Sequence, residues 1–535
     1  MKIENPILKG FHPDPSIVRV GEDYFIVTST FEWWPGVRLH RSKDLKNWEI
    51  LPYPLNRKSQ LDLTGVGDSQ GIWAPCLTYD NGIFYLVYTV VTSFYCNMQD
   101  TKNFLVMAES VEGTWSEPIA LNNFGFDPSL FHDTDGRKYI ISMVTDHRVP
   151  QKYGGRLLLQ EYDPKQQKMV GELKDIYQGE HGYLEGPHIY RRGEFYYLFA
   201  AERGTGEEHG QVILRSQSIW GPYESYENNN SILTSRNNPE HNIQKAGHAD
   251  LVQAADGDWY MVHLCGRPLN VKNPDNHKKL PAKRRYTLGR ETALQKVYWT
   301  EDGWLRLSNG TSLPEVVVEL DNKEQPIERK STIDDFDKTE LDLEFQSLRN
   351  PLTEENYSLT ERPGYLRLYG RDGLSSRFNQ SLIARRWTEF EFEAETKIEF
   401  IPKNFKQMAG LVCLYDVENF YYLHVTFDED LGRCISIIKS ENRKIEYPIK
   451  FIPVRGNEIY LKVIVDHHKL QFLYSIDRQR YKKVGPEMDA SILSDEACDQ
   501  GWFKGAMVGI CCQDMAGSAI EADFDWFKYQ VPFHK

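Results

Sequence analysis

Five times in its first 320 residues the chain repeats one short pattern, and that repetition limits the possible fold more than any other feature. "HPDPSIVRVGEDYFIVTST" is followed by "IWAPCLTYDNGIFYLVYTV", "GFDPSLFHDTDGRKYIISMV", "LEGPHIYRRGEFYYLFAAE" and "GHADLVQAADGDWYMVHL". Each copy holds a turn, a short apolar run, a tight Gly/Asp turn and a second aromatic run, which is the signature of a β-hairpin. Aligned on Pro15, Pro75, Pro128, Pro187 and Asp250, the copies stand 60, 53, 59 and 63 residues apart. Outer-strand stretches recur between them as "HRSKDLKNW", "MAESVEGTW" and "LRSQSIWGPY". A repeat of that length with three or four strands is a propeller blade. The pattern predicts an all-β fold, a five-bladed β-propeller over residues 1–320.

In a propeller the start of every innermost strand faces the central axis. Just ahead of the aligned anchors stand Asp14, Trp73, Asp127, Glu185 and His248. The repeat therefore gathers three carboxylates, an indole and an imidazole from five distant places into one site. Three carboxylates can ligate a hard cation or cleave a glycosidic bond, which needs one carboxylic acid and one carboxylate. The acids are not equivalent, which suits divided roles. Glu185 is offset by one position and lies in "YLEGPH", between apolar groups and a glycine, where a carboxyl should hold its proton as a general acid. Asp14, fixed between Pro13 and Pro15, is left as the carboxylate, base or nucleophile. Asp127 would orient the acid and help keep it protonated.

After residue 316 the repeat stops. "VVVELDNKEQPIERKSTIDDF" is charged and reads as a connector, and strict alternation follows, as in "FEFEAETKIEF" and "YLKVIVDHHKLQFLYSID". Residues 321–535 are predicted to form a β-sandwich (jelly-roll-like) that packs beside the pocket. The composition constrains partners. A net charge of −14 argues against nucleic acid and anionic membranes and suits a neutral small-molecule substrate. Neither a leader peptide nor an apolar run of membrane-spanning length is read. Eight scattered cysteines without metal spacing predict reduced thiols in a cytoplasmic protein. The sequence leaves a homodimer or homotetramer open.

"HPDPSIV", "GFDPSLF" and "EGPHIY" resemble the three acidic motifs of glycoside hydrolase family 43. "FEWWPGV", "GIWAPCL", "GHADLV" and "LGRETALQ" add to the likeness, which is strongest to the bacterial β-xylosidases with a C-terminal β-sandwich. The resemblance implies an inverting, exo-acting β-D-xylosidase that releases xylose from the non-reducing ends of β-1,4-xylo-oligosaccharides. An α-L-arabinofuranosidase or a non-catalytic sugar-binding propeller are the alternatives. It implies Asp14 as general base, Asp127 as the acid that tunes pKa, and Glu185 as general acid. Phe31, Trp73, His248 and Arg290 would line the terminal sugar pocket. Two departures stand out: Arg203 where the family has glycine, and Met507 where a phenylalanine would reach towards the pocket. No cofactor is implied; calcium on the axis under His248 stays open.

Overall fold

The computed structural model describes residues 1–95, 98–148, 155–178, 183–226, 230–271, 284–320, 332–499 and 502–532. Most of the charged connector, 321–331, lies outside them. The chain divides into two compact units. The first comprises Met1–Leu61, Gln70–Pro268 and Arg290–Ile327. The second comprises Asp62–Ser69, Leu269–Gly289 and Glu328–Lys535. Two segments within the propeller's stretch of sequence, 62–69 and 269–289, thus belong with the second unit.

The first unit is a five-bladed β-propeller. Its antiparallel blades begin with the inner strands Ser16–Val20, Gly71–Asp80, Phe126–His132, Leu184–Arg192 and Gln244–Gln253. Each blade meanders outwards through four strands, and the fourth carries one extra, Leu233–Thr234. The tight turns read from sequence make the inner hairpins. Asn81 and Gly82 sit at φ +50° and +85°, as a two-residue loop between twisted strands requires. Each inner strand touches the next, and the fifth touches the first, so the ring closes.

The N-terminal segment reinforces that closure. Lys2–Glu4 pairs with Val317–Glu319, and Leu8 bridges Thr292 in the third strand of blade five. Asn5 is buried between them. Its Nδ2 donates to the carbonyls of Leu294 and Glu315, both at 2.8 Å, and its Oδ1 accepts from Leu294 N–H at 2.8 Å.

The structure corrects the alignment of the fifth repeat by one residue. In blades one to four, a residue with left-handed backbone precedes the proline: Asp14 (φ +53°), Ala74 (+33°), Asp127 (+51°) and Gly186 (+56°). In blade five that residue is His248 (+49°), so Ala249, not Asp250, stands where the prolines stand. The ladder shifts register at this step in blades two to five. A backbone twist defines the slot, and without a proline nothing in the sequence marks it.

The second unit is a β-sandwich of two antiparallel sheets. One sheet contains Glu391–Glu399, flanked by Glu458–Asp466 and Glu521–Gln530. The other contains Met507–Asp514, flanked by Ser381–Arg386 and Gln407–Leu414. The alternation read from residues 390–400 is visible here: Phe392, Ala394, Thr396, Ile398 and Phe400 are all buried, with Phe390 partly so. Segment 62–69 joins this unit through Gly65 N–H to Arg377 O (2.9 Å) and Asp68 to the fully buried Arg349 (2.8 Å).

Replacing Asn5 by Ala removes three buried hydrogen bonds at the seam that closes the ring. At about 0.5–1.5 kcal/mol each, the loss should be about 2–4 kcal/mol. Urea unfolding is expected to show it as a lower midpoint for the propeller transition with an unchanged slope.

Candidate active site

The left-handed slot is what aims the acids. A proline disfavours right-handed helical backbone in the residue before it, and the register shift frees that residue from the ladder. Asp14, Asp127 and His248 consequently form one ring around the axis with Ala74 and Gly186. The residues one step earlier are Pro13, Trp73, Phe126, Glu185 and Gly247, so Glu185 and Trp73 share a neighbouring ring.

Asp14 is nearly inaccessible and tightly held. Arg290 Nη1 donates to Oδ1 at 2.6 Å and Nη2 to Oδ2 at 3.3 Å, the two-pronged grip that a guanidinium fork allows. Ser29 Oγ donates to Oδ2 at 2.7 Å and itself accepts from Ala74 N–H at 2.7 Å. His248 Nδ1 lies 3.6 Å from Oδ1. Arg290 also reaches Thr205 Oγ1 at 3.2 Å.

The other two carboxyls have different surroundings. Glu185 is pushed up to about 7, mainly by burial and then by the charge of Asp14, with Arg290 opposing. Asp127 is raised well above the usual carboxylate range by burial, then by Glu185 and Asp14. The Gly186 N–H, donating to Asp127 Oδ2 at 3.0 Å, and Arg290 pull the other way. Crowding three acids in a buried site thus favours protons on Asp127 and Glu185 while Arg290 compensates the charge of Asp14. Burial lowers His248 to about 4, against the pull of Asp14, so its imidazole is neutral at pH 7. The ring packs against Gly186, where an added Cβ would fall 2.6 Å from Nε2.

Aromatic rings wall this site. Trp73 and Phe31 have centroids 6.0 Å apart, and Phe126 meets Trp73 edge-on at 5.4 Å. The Arg290 guanidinium carbon lies 5.6 Å from the centroid of Phe31. Asp14, Phe31, Trp73, Asp127, Glu185, His248 and Arg290 are therefore brought together. Met507 lies in the second unit, fully buried, and pairs with Arg386 and Leu414. Arg203 sits at φ +65°, a backbone that favours glycine, with its guanidinium 4.0 Å from both Glu202 and Glu208.

Sequence reasoning missed Ser29, Thr205 and Tyr183. The phenol of Tyr183 is raised well above its usual range by burial, then by the charges of Glu185 and Asp127. None falls in the repeated slot. Ser29 follows a second strand and Thr205 lies in a loop, so only the fold could reveal them.

The comparisons with known proteins agree with this geometry. Residues 3–305 match the profile of glycosyl hydrolases family 43, and residues 333–530 match the β-xylosidase C-terminal concanavalin A-like domain. The chain is similar to a β-xylosidase of Bacillus subtilis, at 45% identity over 99% of this chain and 100% of the relative. It is similar to xylosidase/arabinosidase 43B of Humicola insolens, at 46% identity over 100% of this chain and 98% of the relative. The crystal structure of a xylan β-1,4-xylosidase from Bacillus halodurans superposes with a TM-score of 0.94 at 46% identity, covering 99% and 100% of the two chains. With three acids on a propeller axis, a guanidinium clamp and these matches, the chain belongs to glycosyl hydrolase family 43 and is a glycoside hydrolase.

Proposed function

We propose that this enzyme is an exo-acting, inverting β-D-xylosidase that removes single xylose units from the non-reducing ends of β-1,4-xylo-oligosaccharides. The observation that carries the reading is the asymmetry of the acids: Glu185 and Asp127 are raised towards their protonated forms while Asp14 is clamped by Arg290 and Ser29. Glu185 protonates the departing glycosidic oxygen. Asp14 takes a proton from the water that attacks the anomeric carbon from the opposite face. Asp127, which accepts from Gly186 N–H beside Glu185, orients the acid, while burial and the charge of Asp14, rather than Asp127, keep the proton on Glu185. Phe31 and Trp73 give the terminal sugar an apolar wall, while Arg290 and His248 offer polar contacts. The names of the relatives support xylose as that sugar. The Humicola protein, whose name pairs two activities, supports α-L-arabinofuranosidase action as the second reading. Rates on aryl β-xyloside and aryl α-L-arabinofuranoside separate the two, with the xyloside expected to be faster.

We read the chemistry as needing no metal. The axial cavity beneath Asp14, Asp127 and His248 is about 10 Å³, room for one water. Calcium takes about six to eight oxygens, yet both oxygens of Asp14 are engaged by Arg290 and Ser29. The residues there do not fit the ion. EDTA is expected to leave kcat unchanged, and loss of activity restored by calcium would refute this. A reducing, cytoplasmic setting suits the seven described cysteines, which are all free and buried. Among the described residues, no helix is long and apolar enough to cross a membrane.

Glu185→Gln should cost about 10²–10⁴-fold on xylobiose, the usual worth of a general acid. It should cost much less on an aryl xyloside whose leaving group needs little protonation. Asp14→Asn should slow both substrates alike, because water must be activated whatever departs. Equal losses for Glu185→Gln on both substrates would remove Glu185 from the acid role.

For the free enzyme, kcat/KM on xylobiose should fall as pH rises through about 7, where Glu185 loses its proton. The same shift bears on stability. Its folded value lies above the unfolded 4.5, so the contribution is full below 4.5 and is lost as pH rises through about 7. Glu185→Gln should therefore unfold at a higher temperature than wild type at pH 8, with the gap closing towards pH 4.5.

Inversion has its own readout. Proton NMR during early turnover of a β-linked substrate is expected to show α-xylose first. Early β-xylose would make Asp14 a nucleophile.

A further inference from the structure

One layer along the axis from Asp14, Ala74, Asp127, Gly186 and His248 lies a second ring, two residues further on in each blade: Ser16, Cys76, Ser129, His188 and Asp250. Asp250 is the one carboxylate among them and is almost wholly buried. These side chains stitch neighbouring inner strands together. Between blades one and two, Leu77 N–H donates to Ser16 Oγ at 3.1 Å. Between blades three and four, Ser129 Oγ donates to Pro187 O at 2.6 Å.

The seam between blades five and one is built more heavily. Asp250 Oδ2 accepts from both Ser16 Oγ and Ile17 N–H, each at 2.8 Å. Its other oxygen faces blade four: Oδ1 accepts from Tyr190 O–H and from Leu251 N–H at 2.8 Å, with His188 Nδ1 at 3.8 Å. The phenolic oxygen of Tyr190 also accepts from Leu251 N–H at 3.0 Å. A single carboxylate therefore ties the last blade to the first and to the fourth. Asp14 lies two residues before Ser16, and its ligands Arg290 and His248 come from blade five. The grip on Asp14 thus spans the same seam that Asp250 fastens.

We propose that Asp250 is a positioning residue for catalysis, fixing the blade-five to blade-one seam so that Arg290 and His248 meet Asp14 in working geometry. This rests on the reading of Asp14 as the base. The seam bonds use carboxylate oxygens in fixed directions, which an alanine cannot offer and an asparagine offers in part.

The test is steady-state kinetics at 25 °C on xylobiose and on an activated aryl xyloside, using full-length variants whose fold is checked by circular dichroism. Asp250→Ala should lose tenfold or more in kcat on both substrates with KM changed less than threefold, and Asp250→Asn should recover most of that loss. A folded Asp250→Ala enzyme with wild-type kcat and only a lower Tm would make Asp250 a purely structural staple and overturn the proposal. So would a loss confined to xylobiose, since that would track the acid. Should Asp250→Ala fail to fold, Ser16→Ala removes one seam bond from the other side. It is expected to lower kcat on both substrates in parallel, and an unchanged kcat overturns the proposal equally. Asp14→Asn in the same assay keeps the two readings apart: a loss restricted to xylobiose there would refute Asp14 as base, whatever Asp250 does.

Discussion

Closing five inner strands around one axis is the constraint on which the rest of this enzyme depends. A ring brings together residues that lie hundreds of positions apart, but only if every seam holds, and a chain that begins and ends in different blades must fasten its last blade to its first. Here that seam carries the bonds from Asp250, the bridge from Leu8 to Thr292 and the brace at Asn5. Arg290 crosses it to reach Asp14. Closure and the candidate site use the same few ångströms of backbone.

The second constraint is electrostatic. Three carboxyls and a histidine share a buried space, where charge is costly and like charges raise each other's pKa. The site resolves this by division. Arg290 and Ser29 satisfy Asp14, the Gly186 amide partly satisfies Asp127, and Glu185 is pushed up to about 7. A carboxylic acid and a carboxylate in one pocket are what glycoside hydrolysis requires, and here both follow from burial and one guanidinium. The left-handed backbone beneath the acids is strained for non-glycine residues, at a cost of about 1–3 kcal/mol each. Such strain persists because the surrounding blades over-determine it.

The second unit shows the usual economy of a sandwich. Alternation in the sequence buries one face of residues 390–400 and places charges on the other, of which Glu395 is also buried. Its segments 62–69 and 269–289 come from far up the chain. The fully buried Arg349, paired with Asp68 at 2.8 Å, shows how such a distant segment is held.

What the sequence determined by itself was the repeat, and with it the blades, the axis and the acids on that axis. Hairpins are local, and five copies of one hairpin admit few arrangements, so Asp14, Asp127 and Glu185 could be placed in one site from spacing alone. Alternation after residue 330 likewise fixed a second β-unit, because a period of two is a local property. Tertiary structure alone decided the rest. It put His248, not Ala249, in the slot of Asp14, since that slot is a backbone twist with no proline to mark it in blade five. It chose Ser29 and Thr205 as partners of Asp14 and Arg290, since strand ends and loops converge only once the ring has closed. It also set which carboxyl keeps its proton, because a pKa depends on burial and neighbours that no linear spacing contains.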